Sequence, residues 1–137
     1  MIIDSSALIA IIFREPGWEQ LQGAIFDAGS AAIPAPALTE TRLVVAGRRA
    51  EHLAGAEALF EVLTSADVEI HAFERRHADI TGEARNRYGK GNGQGGLLNF
   101  GDLMVYAVAK QRGEPLLCTG RDFASTDLEI HPASRLA

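Results

Sequence analysis

The stretch Met1-Ile2-Ile3-Asp4-Ser5-Ser6-Ala7-Leu8, residues 1–8, decides the fold. Its first residues are apolar and predict a short buried strand that ends at Asp4. The apolar run that follows predicts a helix over residues 5–13, with Ser5 or Ser6 as its amino-terminal cap. A buried strand that leads directly into a helix is typical of a parallel sheet with helices packed on its faces.

The same alternation of short apolar segments and helical periodicity continues along the chain. We therefore expect an α/β fold, a three-layer α/β/α sandwich with a central, mainly parallel sheet of Rossmann-like type. The helices predicted over 37–49 and 51–65 should form a helical hairpin. The further predicted strands are 31–34, 68–70, 116–119 and a short last one at 129–130, and the other further helices are 15–28, 74–87 and 99–112.

Length and composition predict one domain over residues 1–137. The 137 residues are 47% hydrophobic, which is enough apolar material for a core. No apolar run approaches the ~20 residues of a membrane span, and the start lacks the basic segment of a signal peptide, so we expect a cytoplasmic protein without membrane contact. The single cysteine, Cys118, lies in an apolar strand and is expected to be a buried apolar residue without a catalytic role.

The net charge leaves a nucleic-acid substrate open. A charge of −5 argues against broad non-specific binding, because such binding draws its affinity from neutralised phosphates. Of the 13 basic residues, however, 11 are arginine, the type suited to bidentate phosphate contacts.

A glycine-rich segment, residues 88–96, is expected to be a mobile loop. It contains the pattern Gly91-x-Gly93-x-x-Gly96, which superficially matches a dinucleotide-binding fingerprint. That fingerprint needs a strand before it, whereas a charged helix is predicted here, so we expect no dinucleotide cofactor.

Acidic side chains lie where predicted strands end or predicted helices begin. In an open parallel sheet such positions meet in the crevice beyond the carboxyl ends of the strands. Carboxylates gathered there repel one another unless a cation lies among them, and a ligand set made of oxygen atoms favours Mg²⁺ or Mn²⁺ over zinc. Each acid also has a plain structural alternative, as a helix or turn cap or as a surface residue. The four residues are Asp4, Glu40, Asp102 and Asp122.

Four blocks of the chain together carry a resemblance to a known family. They are residues 1–8, Glu40, Leu98-Asn99-Phe100-Gly101-Asp102 and Leu116-Leu117-Cys118-Thr119-Gly120-Arg121-Asp122-Phe123. In content, order and spacing these blocks resemble the PIN domain family, and in particular the VapC-type toxins of bacterial toxin–antitoxin pairs. The resemblance covers essentially the whole chain.

The resemblance implies a Mg²⁺- or Mn²⁺-dependent endoribonuclease toxin that a small VapB-type antitoxin neutralises, and a homodimer. It implies RNA products with 5′-phosphate and 3′-hydroxyl ends. The family's catalytic and metal-binding acids fall on Asp4, Glu40, Asp102 and Asp122. The residues expected to support them from a second layer are Ser5, Ser6, Asn99, Thr119 and Asp127.

On this hypothesis Asp4, Asp102 and Asp122 hold one or two metal ions at a scissile RNA phosphate, and Glu40 ligates an ion or orients the attacking water. Single-stranded or loop RNA is the expected target, because its bases can be reached from outside a helix. The basic residues proposed to contact backbone phosphates are Arg14, Arg85, Arg87, Lys90, Arg112 and Arg121.

Two other functions remain open at this stage. A haloacid-dehalogenase-like phosphatase also begins with an apolar strand that ends in Asp, but it normally has a second acid two residues later, where this chain has Ser6. A PIN-like domain that only binds a partner would be favoured by an incomplete acidic set. Contacts with the antitoxin and with a second copy are expected on apolar helix positions around Phe13, Trp18, Phe60 and Leu63.

Overall fold

A four-stranded parallel sheet lies at the centre of the protein. The structure is a computed structural model that describes residues 1–48, 51–65 and 67–136. The strands are β1 (Ile2–Ile3), β2 (Ala32–Pro34), β3 (Glu69–His71) and β4 (Leu116–Leu117), in the spatial order β3-β2-β1-β4. Because all pairings are parallel, the carboxyl ends of the strands lie along one edge of the sheet.

Two helices connect each strand to the next. They are α1 (Ser5–Ile12), α2 (Trp18–Asp27), α3 (Ala35–Ala46), α4 (Glu51–Ser65), α5 (Arg75–Tyr88) and α6 (Phe100–Arg112). The predicted α/β fold is confirmed, and the predicted hairpin corresponds to α3 and α4, where the Arg42 guanidinium lies 4.5 Å from the centre of the Phe60 ring.

Several element boundaries differ from the predicted ones. Helix α2 begins at Trp18 because Pro16 precedes it and Gly17 adopts a left-handed backbone with φ of 87°. Helix α3 begins one residue before Pro36, which is tolerated in a first turn because its missing N–H would have no helical partner. The helix ends at Ala46 with Gly47 as its cap, so the predicted continuation through residue 48 is wrong, and residue 49 lies outside the described residues. In place of the last predicted strand there is a single β-bridge between Leu116 and Ile130.

The cap of α1 also differs from the prediction. Asp4, and not Ser5 or Ser6, is the capping residue, and its carboxylate accepts a hydrogen bond from the backbone N–H of Ser6 at 3.0 Å. The two serines are the first residues of the helix.

The core is formed by the strands and the helix faces that cover them. Strand residues such as Ile2, Ile3 and Leu117 are fully buried, as is Cys118, which confirms the expected packing role of the cysteine. Burial raises the pKa of the Cys118 thiol to about 12, so it is inert at neutral pH. Leu63 is only 5% exposed and belongs to this core, so it is not available for the partner contacts expected from the sequence.

Helices α5 and α6 pack as an antiparallel pair that sets the position of the amino end of α6. At one end the buried His77 accepts a hydrogen bond from the backbone N–H of Glu74 and lies 3.3 Å from Gln111 on α6. At the other end, Leu98 donates to the carbonyl of Tyr88, which closes the glycine-rich loop. The mobility of this loop stays a prediction. Within the described residues, no helix is long and apolar enough to cross a membrane.

Candidate active site

Asp4 and Ser6 join the carboxyl ends of the two neighbouring strands β1 and β4. Asp4 follows β1 directly and is 4% exposed. The Ser6 hydroxyl donates to Asp4 Oδ2 at 2.5 Å and accepts a hydrogen bond from the backbone N–H of Thr119, just after β4, at 3.0 Å. This serine therefore positions the Asp4 carboxylate and links it to the residue that follows the neighbouring strand.

Asp102 lies in the first turn of α6 and takes part in its capping. The Asn99 side chain accepts from the backbone N–H of Asp102 at 2.9 Å, and Asp102 Oδ2 accepts from the backbone N–H of Asn99 at 3.0 Å. The capping role and the candidate site role therefore coincide in one side chain. This reciprocal pair holds the Asp102 carboxylate in a defined position.

Glu40 reaches the same place from α3. A β-carbon placed on Gly101 would lie 2.5 Å from Glu40 Oε2, so this carboxylate lies directly against the first turn of α6. The Glu40 side chain is therefore only partly exposed and points to α6, which differs from the solvated surface position considered as its structural alternative.

All four acids predicted from the sequence line one cavity of about 250 Å³. Ser5, Ser6, Asn99 and Thr119 also line it, whereas Asp127 does not. The sequence analysis missed three lining residues: Ile9, Glu15 and Phe123. Glu15 adds a fifth carboxylate that no pattern in the sequence marks. It follows the end of α1, where Arg14 adopts a left-handed backbone with φ of 50° and the backbone N–H of Glu15 donates to the carbonyl of Ala10.

Burial and mutual repulsion raise the pKa values of the innermost carboxyl groups. Burial raises the pKa of Asp102 to about 7, and the negative charges of Asp4, Asp122 and Glu40 act in the same direction against the hydrogen bond from Asn99. Burial also raises the pKa of Asp4, with the hydrogen bonds from Ser6 opposing it. A cation between these groups would favour their charged forms.

The cavity offers the donor chemistry of a Mg²⁺ or Mn²⁺ site. Its polar lining consists of carboxylate, hydroxyl and amide groups, and hard divalent cations prefer such oxygen ligands. Among the residues that the structure describes, no three His, Cys, Asp or Glu side chains are grouped closely enough to hold an ion as they stand. The residues fit the ion by their chemistry, and the carboxylates of Asp4 and Asp102 accept hydrogen bonds from backbone and hydroxyl donors.

A larger cavity of about 550 Å³ lies between α3, α4 and β3. Apolar side chains such as Ile33, Leu38 and Leu63 line it, together with two acids, Asp67 and Glu69. We assign the candidate active site to the smaller cavity, because acidic groups from four distant segments meet there and their charges help to raise the pKa of Asp102.

Two residues proposed for the site lie elsewhere. Asp127 accepts hydrogen bonds from the Tyr106 hydroxyl at 2.7 Å and from Lys110 Nζ at 2.6 Å, so it ties the chain after β4 to α6. Arg112 lies ten residues after Asp102, about 15 Å along α6, where it pairs with Glu69 and Glu114. We therefore withdraw Arg112 from the proposed RNA contacts.

The remaining basic candidates do not line the cavity, but most of them lie next to segments that do. Arg87 and Lys90 lie at the end of the α5–α6 pair that contains Asp102, because the loop between these helices is closed by the Gly89–Leu98 bridge. Arg14 immediately precedes Glu15 of the cavity, and Arg121 immediately precedes Asp122. Arg85 is exposed on the last turn of α5.

Comparison with known proteins identifies one family. A sequence model of the PIN domain matches residues 1–129. The chain is 40% identical over 128 residues to Ribonuclease VapC of Mycolicibacterium smegmatis, and the aligned region covers 93% of this chain and 97% of the relative. It is 39% identical over 132 residues to Ribonuclease VapC36 of Mycobacterium tuberculosis, and this alignment covers 95% of this chain and 92% of the relative.

Solved structures share the fold. VapBC2 from Rickettsia felis, bound to a DNA fragment from its promoter, contains a chain that superposes with a TM-score of 0.71 at 16% identity, covering 99% of this chain and 96% of that one. FitAcB from Neisseria gonorrhoeae superposes with a TM-score of 0.66 at 20% identity, covering 96% of each chain. At these identities the likeness establishes the fold alone.

Proposed function

Because the chain belongs to the PIN domain family, we propose that it is a metal-dependent endoribonuclease and the toxin of a toxin–antitoxin pair. Relatives that bear the name Ribonuclease VapC match it over nearly their whole length, which supports this assignment. One structural observation carries the proposal: four carboxylates from four distant segments line one cavity at the carboxyl edge of the sheet.

We assign the site residues as follows. Asp4, Asp102 and Asp122 would hold Mg²⁺ or Mn²⁺, and Glu40 would ligate an ion or orient the attacking water. When bound, the ion would lower the pKa of that water and stabilise the charge that develops on the phosphate oxygens. Neither alternative function is favoured, since Ser6 stands where a phosphatase of the haloacid-dehalogenase type has its second acid and the acidic set is complete.

The chain's own side chains hold this arrangement in place. Ser6 orients the Asp4 carboxylate through its hydroxyl, and Asn99 orients Asp102 through the reciprocal cap. Glu40 reaches the cavity from α3 and lies against the first turn of α6. An attack on a phosphodiester needs reacting groups held in line, and carboxylates carried on or beside packed strands and helices have the rigidity that this requires.

RNA reaches this cavity across a surface that carries both charge and an aromatic group. Phe100, two residues before Asp102, is 80% exposed, and an exposed ring of this kind can stack on an unpaired base. Our proposed phosphate contacts are Arg14, Arg85, Arg87, Lys90 and Arg121. This arrangement favours single-stranded or loop RNA, because bases in a duplex are not available for stacking.

We propose a cognate VapB-type antitoxin and a second copy of the chain as protein partners. The assemblies named toxin–antitoxin complex from Klebsiella pneumoniae and VapBC2 from Rickettsia felis share this fold. Phe13, Trp18 and Phe60 are partly buried against the core and stay candidate contact positions. Since cellular RNA is the proposed substrate, we place the activity in the cytoplasm.

The decisive experiment is cleavage of total cellular RNA and of a defined structured RNA by the purified protein, with Mg²⁺, with Mn²⁺ and with EDTA. We expect cleavage only with metal, and products with 5′-phosphate ends. Asp102→Asn should lower the rate by orders of magnitude with the fold intact, because asparagine keeps the size and can still accept the hydrogen bond from Asn99. Asp79→Asn, which removes an exposed acid of α5, is the matched control. Equal rates for Asp102→Asn and the parent would overturn the site assignment.

A further inference from the structure

Gly101 lies between the exposed Phe100 and Asp102, at the second position of α6. A β-carbon built there would lie 2.5 Å from Glu40 Oε2, 3.5 Å from Asn99 Oδ1 and 3.6 Å from Glu40 Cδ. Real β-carbons essentially never approach another heavy atom within 3.0 Å, so a methyl group and the Glu40 carboxylate cannot both occupy these positions. The missing side chain of Gly101 therefore makes room for one carboxylate oxygen.

Glycine is not needed here for its backbone freedom. Gly101 is a helical residue and is not among the glycines with positive φ. Other helical glycines, Gly23 in α2 and Gly82 in α5, have no atom within 4 Å of an added β-carbon. The close contact at Gly101 is thus a property of this position and not of glycines in helices generally.

We infer that Gly101 is a positioning residue that allows the Glu40 carboxylate to lie against the first turn of α6, inside the cavity shared with Asp102. The first turn of a helix leaves backbone N–H groups without helical partners, and its dipole favours a negative charge there. An alanine would push Glu40 Oε2 outward by roughly 1 Å to reach ordinary van der Waals separation. Because this atom is the far end of a flexible side chain, the fold can absorb the change while the site geometry cannot.

The expected effect follows from how strongly catalysis depends on placement. A displacement of about 1 Å in a catalytic site can lower a rate by about 10²-fold. Gly101→Ala should therefore reduce RNA cleavage by about 10- to 100-fold while its melting temperature stays at or above that of the parent, since alanine favours a helix more than glycine does. Gly82→Ala is the matched control, and it should cleave RNA like the parent.

The positioning role of Gly101 rests on the proposed function, so the experiment must distinguish failure of that role from failure of the ribonuclease assignment. The rate effect of Gly101→Ala is measured in single turnover in the parent and again in a Glu40→Ala background. If the methyl group acts by displacing Glu40, its effect disappears in the second background; an equal loss in both would overturn the inference and leave the ribonuclease assignment standing.

A second readout needs neither metal nor activity. The side-chain carboxyl ¹³C resonance of Glu40, assigned by its loss in Glu40→Gln, is recorded in metal-free protein. It should shift in Gly101→Ala and stay in place in Gly82→Ala. An unshifted resonance in Gly101→Ala would overturn the inference, whether or not the parent cleaves RNA, whereas a shift together with an inactive parent would support the positioning role and count against the proposed function.

Discussion

Replacing Ser6 by alanine should cost more stability than the loss of one small hydroxyl group normally does. This hydroxyl donates to the buried Asp4 carboxylate and accepts from the backbone N–H of Thr119, so its removal affects two partners at once. A hydrogen bond to a charged group contributes about 1.5–3 kcal/mol, and a buried N–H left without an acceptor costs about 1–3 kcal/mol, of which the partly buried N–H of Thr119 takes the lower part. Because the Ser6 backbone N–H still reaches Asp4, we take the lower half of these ranges and expect a loss of about 3 kcal/mol.

Thermal and urea unfolding in EDTA measure this loss directly. Unfolding entropy is about 2.1 cal/mol/K per residue, which for 137 residues converts about 3 kcal/mol into a fall in melting temperature of about 10 °C. Thr39→Ala is the control, since its hydroxyl is exposed and donates only to the carbonyl of Ala35 in its own helix. If Ser6→Ala unfolded within about 0.5 kcal/mol of the parent, the link between β1 and β4 through Ser6 would be energetically unimportant, and our account of how Asp4 is held would be wrong.

Two further changes test other parts of the structure. Asp127→Asn should destabilise the protein by about 1 kcal/mol at neutral pH. Although burial opposes it, the bonds from Lys110 and Tyr106 hold the pKa of Asp127 below its ordinary value. Its contribution to stability is therefore present above that ordinary value and is lost as pH falls through the lowered pKa. The urea unfolding curves of parent and variant should thus converge in acid, below the lowered pKa, and a difference independent of pH would contradict this account. Phe100→Ala should raise the KM for single-stranded RNA by about 10-fold, because it removes the stacking energy of about one base. Phe26→Ala on α2 also removes an exposed ring and should leave the KM unchanged. Equal KM values for both variants would exclude stacking on Phe100.

Asp102 shows why a structural role and a site role need not compete. The sequence allowed it to be either a first-turn acid or a member of a carboxylate cluster, and in the structure one of its oxygens completes the cap with Asn99. The same cap aims the side chain into the cavity and contributes to its burial. The reverse holds for Asp127, which the sequence placed near the site but which the structure pairs with Tyr106 and Lys110.

The local pattern of the sequence determined the order of strands and helices and where the candidate acids would gather. A polar residue at or soon after the end of a short buried strand is favoured at the carboxyl edge of a parallel sheet. The joint placement of the four acids and the resemblance to the PIN domain family then assigned Asp4 and Asp122 to one crevice. Boundaries were less certain, as at Trp18, because a positive backbone φ at Gly17 depends on local conformation that periodicity does not reveal.

Only the tertiary structure decided the contacts between segments that are distant in the chain. Ser6 bonds to Thr119 across 113 residues, Glu40 lies against Gly101, and Glu15 enters the cavity after the end of α1. The pKa of Asp102 likewise depends on burial and on charges carried by other strands and helices. These features depend on distances of a few ångströms between packed elements, and a sequence pattern, which reports only the local preference for strand, helix or burial, does not contain those distances.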